Sequence, residues 1–266
     1  MTAPIPQYRV QANNTAKASE NKMHDDTVAR QFGFSGGLVT GVDLLAYMIH
    51  QPVAAWGRAF LERGLIEAKF LKPVYDGEML TLDATAEAGG LALALHSRGD
   101  VCAAGRASLT ASAPAVDLAA YPATAPVETR RPVDAQSYEI GKWLGTASWA
   151  WPEQVASAYG HDVRDTEPLY ARERLVHPGV IQRLMNRLLV ENAILGPWIH
   201  VGSRMQLLSP VAVGDELTAR ARVTGNYDKK GHRFVELDAV AVANGTRAVA
   251  HCHHVAIVQP RQSAAA

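Results

Sequence analysis

Two kinds of spacing divide this chain. Apolar residues recur at helical intervals from Val42, through Leu45, Ile49, Val53 and Phe60, and this predicts a long helix that Pro52 should kink or divide and Gly64 should end. Four runs rich in β-branched and apolar residues follow over 66–74, 79–87, 91–98 and 101–111. They are separated by Asp76-Gly77, Gly89-Gly90 and Gly99-Asp100, and this predicts antiparallel strands joined by tight turns. Tyr8 to Val10 reads as a short first strand, and the polar stretch after it as a loop.

The same order then recurs. Phe70-Leu71-Lys72-Pro73-Val74 and Asp76-Gly77-Glu78 align with Leu207-Leu208-Ser209-Pro210-Val211 and Val213-Gly214-Asp215, with proline and glycine at identical separation. Strand-like runs at 233–243 and 248–258 stand where the last two strands of the first half stood. Upstream, His177-Pro178-Gly179 opens a helix expected to run through 188–196. The Ala- and Pro-rich stretch between the halves has neither period and reads as a linker. Expected boundaries are therefore 1–113 for the first repeat, with the candidate site, 114–136 for the linker, 137–260 for the second repeat and 261–266 for a tail.

Composition narrows the partners. The 266 residues carry 26 basic and 26 acidic side chains, so neither nucleic acid nor an anionic membrane finds an electrostatic footprint. No apolar run approaches a membrane span or a secretory leader, which gives the expectation of a cytoplasmic protein. Two cysteines, Cys102 and Cys252, lie in strand-like runs and suggest no disulfide framework. His251-Cys252-His253-His254 is rejected as a metal site, because strand alternation sends His251 and His253 to one face and Cys252 and His254 to the other. No metal and no cofactor is expected.

The chemistry-bearing stretch is Ser19 to Asp43. It joins a polar cluster with Asn21 and His24 to a short helical segment, a glycine-rich turn and the start of the long helix. Asp26 is expected to cap the short segment and Gly33 to end it in a left-handed conformation. Thr40-Gly41-Val42-Asp43 fits a capping box, and the two helix N-termini in this stretch give backbone donors that could face an oxyanion.

These residues resemble the MaoC-like acyl dehydratase and R-specific enoyl-CoA hydratase family, whose signature is D-x-N-P-x-H-x-D, then A-x-x-x-G-F-x-G, then H-G. Asn21, His24 and Asp26 hold the N, H and final D, residues 29–36 follow the middle piece through Gly36, and Gly41 is the closing glycine. Ser19 stands in place of the catalytic Asp, Lys22 of Pro and Thr40 of His. The resemblance implies an α+β double hotdog, two fused repeats each with a long helix wrapped by a curved antiparallel sheet.

It further implies a hydro-lyase acting on an acyl thioester of CoA or a carrier protein, or another activated carbonyl compound. Because the family Asp is Ser19, non-standard chemistry is expected. His24, Asn21 and Ser19 then become the catalytic candidates, and Gly41, Thr40, Gly36 and Gly37 the substrate-binding ones. Asp165, Tyr170 and His177 are the second-repeat counterpart. A hotdog thioesterase or cyclase-like enzyme, and a non-catalytic acyl-binding protein, remain open, as does a homo-oligomer.

Overall fold

The computed structural model describes residues 5–261, so most of the expected 261–266 tail lies outside the described residues. After β1 (Tyr8–Gln11), a 3-10 turn at Lys22–His24 leads into α1 (Asp26–Gln31). Next come α2 (Gly41–Trp56), α3 (Arg58–Arg63) and four strands: β2 (Gly64–Phe70), β3 (Met79–Glu87), β4 (Gly90–Ser97) and β5 (Asp100–Leu109). Two short strands, β6 (Trp143–Gly145) and β7 (Trp149–Ala150), precede α4 (Glu153–Asp162), α5 (Leu169–Glu173) and α6 (Gly179–Val190). The chain closes with β8 (Ile199–Leu207), β9 (Glu216–Lys229), β10 (His232–Ala243) and β11 (Arg247–Gln259).

All strands form one antiparallel sheet in the order β1-β3-β4-β5-β2-β8-β11-β10-β9-β6, with β7 also on β9. The halves join edge to edge through β2 and β8, where Ile66 faces Met205 and Ala68 faces Ser203. This junction pairs what would otherwise be two exposed edges. Helix α2 packs on the strands of the first half and α6 on those of the second, the double hotdog arrangement.

Period-two burial explains the strands. In β4, Leu91, Leu93 and Leu95 point inward while the residues between them are half-buried. Helix α2 is buried from Val42 to Ile49 and again at Gln51–Val53, so it forms the centre of its half rather than a surface stripe. Pro52 does not divide it. Only one late backbone bond is lost there, and the break comes at Gly57, whose φ of 54° ends α2 and moves Phe60 onto α3. The second helix also ends earlier than the pattern suggested, at Val190.

Local features recur between the halves at the offset that separates Pro73 from Pro210. An isolated bridge joins Leu38 to Tyr75 and another joins Leu175 to Ala212, and Gly77 and Gly214 both turn with positive φ. The halves meet closely at the helices: a Cβ on Gly179 would lie 2.8 Å from the Ala46 Cβ. Across the same contact Arg183 of α6 reaches the fully buried Asp43 of α2 at 3.0 Å, while Thr15 Oγ1 donates to the other Asp43 oxygen at 2.6 Å.

The linker stretch is pinned rather than free. Tyr121 donates to Asp238 at 2.8 Å, Arg130 pairs with Glu20, and Pro132 bridges to Ile194. Apolar periodicity missed this because the attachment is made by scattered polar and aromatic side chains. No helix among the described residues is long and apolar enough to cross a membrane.

Candidate functional site

The 3-10 turn that carries His24 is anchored from below. Met23 is fully buried with Ala29 and Leu38, and Phe32, Phe34, Tyr75 and Ile199 pack on this small cluster. Asn21 caps the turn by accepting from Met23 N at 3.2 Å. Its side chain also spans the two halves, accepting from Trp198 N at 3.1 Å and donating to Trp198 O at 2.9 Å. That pair of backbone contacts fixes which end of the amide is which.

The amide orientation sets the imidazole. Asn21 Nδ2 lies 3.1 Å from His24 Nε2 and donates to it, so Nε2 carries the lone pair. At the other end of the ring His24 Nδ1 is 2.7 Å from Leu38 O, which can only accept, so Nδ1 carries the proton. Both contacts select one neutral tautomer. Burial lowers the His24 pKa below its ordinary value, against the opposing pull of the Leu38 carbonyl and the Asp43 carboxylate.

His24 and Asn21 line a cavity of about 270 Å³. The start of α2 contributes Thr40 and Gly41, Leu38 to Val39 and Leu71 to Val74 form an apolar side, and Lys72 is the cation of the wall. Thr40 caps α2 by accepting from Asp43 N at 3.2 Å, as the sequence suggests. Asp43 does not complete the capping box, because Thr15 and Arg183 hold its carboxylate. The amides of Gly41 and Val42, as the first two of the helix, have no intrahelical acceptor.

The remaining first-repeat candidates lie elsewhere. Ser19 is not among the lining residues, and its hydroxyl donates to Asn21 O at 3.4 Å rather than meeting His24. Gly36 and Gly37 also lie off the wall and shape the loop from behind: a Cβ on Gly37 would sit 2.2 Å from His24 O. Asp25, not Asp26, caps α1, accepting from Thr27 N and Val28 N. Asp26 instead accepts from Gly37 N at 2.7 Å and clamps the glycine turn to the helix. Gly33 has the expected positive φ, 86°.

In the second repeat, Asp165, Tyr170 and His177 gather at a closed cluster that contributes nothing to this cavity. His50 of α2 donates to Asp165 at 2.8 Å and His177 Nε2 donates to it at 3.1 Å, while His177 Nδ1 accepts from Gly179 N at 3.0 Å. Burial raises the Asp165 pKa, but the hydrogen bonds from His177 and His50 outweigh it and leave the carboxyl well below the usual range. The Tyr170 ring packs on His177 with centroids 4.9 Å apart, and burial pushes its hydroxyl far up.

A second wall escaped the sequence reading. Asn186 of α6, Trp198, and Ile199, His200 and Val201 of β8 close the cavity from the second half. None belongs to a motif. The only hint was a histidine beside Gly196-Pro197-Trp198 at the start of a strand, and the wall exists because β8 pairs with β2.

The chain matches no protein-family model and no curated protein. Solved structures do match over nearly the whole chain. A conserved Mycobacterium tuberculosis protein with a double hotdog fold, described as essential for bacterial survival during infection, aligns with a TM-score of 0.65 at 15% identity, covering 96% of each chain. A protein described as a MaoC domain protein dehydratase, from Chloroflexus aurantiacus J-10-fl, also gives 0.65 at 11% identity over 98% of this chain and 96% of its own. The dehydratase domain of RzxB from Pseudomonas fluorescens gives 0.55 at 13% identity over 94% and 93%. At such identities the likeness establishes the double hotdog fold.

Proposed function

We propose that the protein is a hydratase/dehydratase-type lyase acting on an acyl thioester or a similarly activated carbonyl compound, with His24 as its base. One observation carries this reading. His24 is held as a neutral imidazole, its Nε2 accepting from Asn21, and lines a cavity that Gly41, whose amide has no intrahelical acceptor, also lines. The dehydratases among the structural neighbours agree with it.

In the hydration direction a water gives one proton to His24 Nε2 and its oxygen bonds to C3 of a 2-enoyl thioester. The C2–C3 π electrons move toward the carbonyl, and the enolate oxygen is stabilised by the Gly41 amide. Reprotonation at C2 by the imidazolium completes the addition of one water. Asn21 opposes the first transfer, because its Nδ2–H already points at Nε2 and must give way when that nitrogen is protonated.

That contact also favours a second reading, an acyl-binding protein without turnover. Purified protein incubated with a short series of 2-enoyl and saturated acyl thioesters separates the two. Reversible loss of enoyl absorbance supports the lyase, tight binding without turnover supports the binder, and release of free thiol would instead place the chain among hotdog thioesterases.

A further inference from the structure

A trough of about 820 Å³, larger than the His24 cavity, lies on the sheet where β2 and β8 join the halves, and the proposed chemistry does not use it. It crosses the strands from Ala104–Arg106 of β5 to Tyr227 and Lys229 of β9. Phe70, Leu71 and Val201 line both hollows, so the two adjoin. Cross-strand pairing explains the space. Lys69 stands opposite Ala104 on one side and Gly202 on the other, and Gly202 stands opposite Val255, so small side chains on neighbouring strands leave the surface low.

The charge of the trough is one-sided. Lys69, Arg106, Arg204 and Lys229 line it against Glu67 and Glu236, in a chain whose basic and acidic residues balance. Both carboxylates are taken: Arg204 reaches Glu67 at 2.9 Å, while the Tyr227 hydroxyl donates to Glu236 at 2.6 Å and His253 Nε2 donates to it at 3.0 Å. Arg106 pairs with Glu87 at 2.9 Å. Lys69 and Lys229 are exposed, and neither ammonium meets a carboxylate among the described residues. The excess therefore rests on two open cations, which suit an anion.

Beside Lys229 the trough offers a flat aromatic surface. The Tyr227 and Phe234 rings stack with centroids 5.4 Å apart and planes 4° from parallel, and Tyr227 is 38% exposed. A planar ring can extend that stack while a phosphate on the same ligand meets the lysines.

We propose that this trough binds a nucleoside phosphate, its base on Tyr227 and Phe234 and its phosphates on Lys69 and Lys229. A free nucleotide and the nucleotide end of a coenzyme A thioester present this same chemistry, and the adjoining His24 cavity gives the second a place for its acyl part. Only that second source rests on the proposed function.

Calorimetry at low ionic strength with ADP, adenosine and pyrophosphate tests the site on the full chain. The expected result is ADP bound about tenfold or more tighter than either of its parts, and weakened by added salt. Lys69→Gln and Lys229→Gln should each weaken ADP by roughly threefold to tenfold, with the exposed Lys17→Gln as an unchanged control. Tyr227→Leu should weaken ADP and keep pyrophosphate within about twofold. The lysines are exposed, so these variants fold.

Competition separates the sources. ADP displaced by butyryl-CoA but not by the butyryl thioester of N-acetylcysteamine assigns the trough to the nucleotide end of the thioester; ADP displaced by neither assigns it to a free nucleotide. Both outcomes support the trough, and failure of every thioester to bind would remove the thioester reading while the ADP results still stand. No ADP binding, ADP bound no tighter than pyrophosphate, affinity unchanged in both lysine variants, or displacement by the N-acetylcysteamine thioester, which would put ADP in the His24 cavity, would each overturn the proposal.

Discussion

Replacing Asn21 with alanine probes both the junction of the halves and the state of His24. Asn21 is 8% exposed and makes four contacts: with Met23 N, with Trp198 N and O, and with His24 Nε2. Alanine would strand two backbone N–H groups and one carbonyl at a site with little room for water. Each orphan costs about 1–3 kcal/mol when nothing relaxes. Loop adjustment and entering solvent recover part of that, so the net loss should be ~2–4 kcal/mol. Equilibrium urea unfolding reads it as a lower midpoint at unchanged slope.

The same substitution removes the donor that opposes protonation of Nε2. The His24 pKa, held below its ordinary value by burial, should rise as the opposing donor goes and solvent enters, and the acid limb of any activity profile should move up with it. NMR titration of labelled histidine measures this directly. A variant with unchanged stability would refute the bridging role of Asn21, and an unmoved or lowered His24 pKa would refute its part in holding the imidazole neutral.

Three further outcomes follow from the packing. Folded-state pKa values of His200, His254 and His24 are all depressed, so the unfolded chain binds more protons than the native one once pH falls below about 6.5. Stability is then full above that pH and declines by up to ~1.4 kcal/mol per unit for each such histidine, down to about pH 3 for His200. Urea midpoints at pH 7 and pH 5 check this, and equal values would contradict it. Gly37→Ala should cost ~1–3 kcal/mol and cut activity, since its Cβ meets the His24 carbonyl at 2.2 Å and the loop must shift; a variant with wild-type Tm and turnover would show that the loop adjusts freely. Ser19→Asp should not create or improve hydration of a simple enoyl thioester, because that side chain points at Asn21 O and away from the cavity wall; a clear gain in rate would place it in reach of His24 after all.

How much was legible depended on range. Turn chemistry is local, so Gly33, Gly77 and Gly214 could be placed from the sequence. Strand alternation at 251–254 was legible for the same reason, and Cys252 and His254 are indeed fully buried. Asn21 and His24 stood out through their motif. Its neighbours misled: Asp26 and Gly37 serve each other, and Ser19 marks a position the cavity does not use. Trp198, His200 and Asn186 reach the cavity only because distant segments pair, through β2 with β8 and α2 with α6. No spacing along the chain encodes that meeting.

Base chemistry by His24 on an enoyl thioester is tested most directly by hydration turnover of the unmodified protein against His24→Ala, with binding followed in both. The expected result is reversible hydration by the unmodified protein, a loss on the order of 10²- to 10⁴-fold in the variant, a stability change within ~1–2 kcal/mol for the two lost hydrogen bonds, and thioester affinity kept within a few-fold. Hydration at an undiminished rate in a folded His24→Ala protein, or no hydration by the unmodified protein while thioester binds tightly, would contradict it.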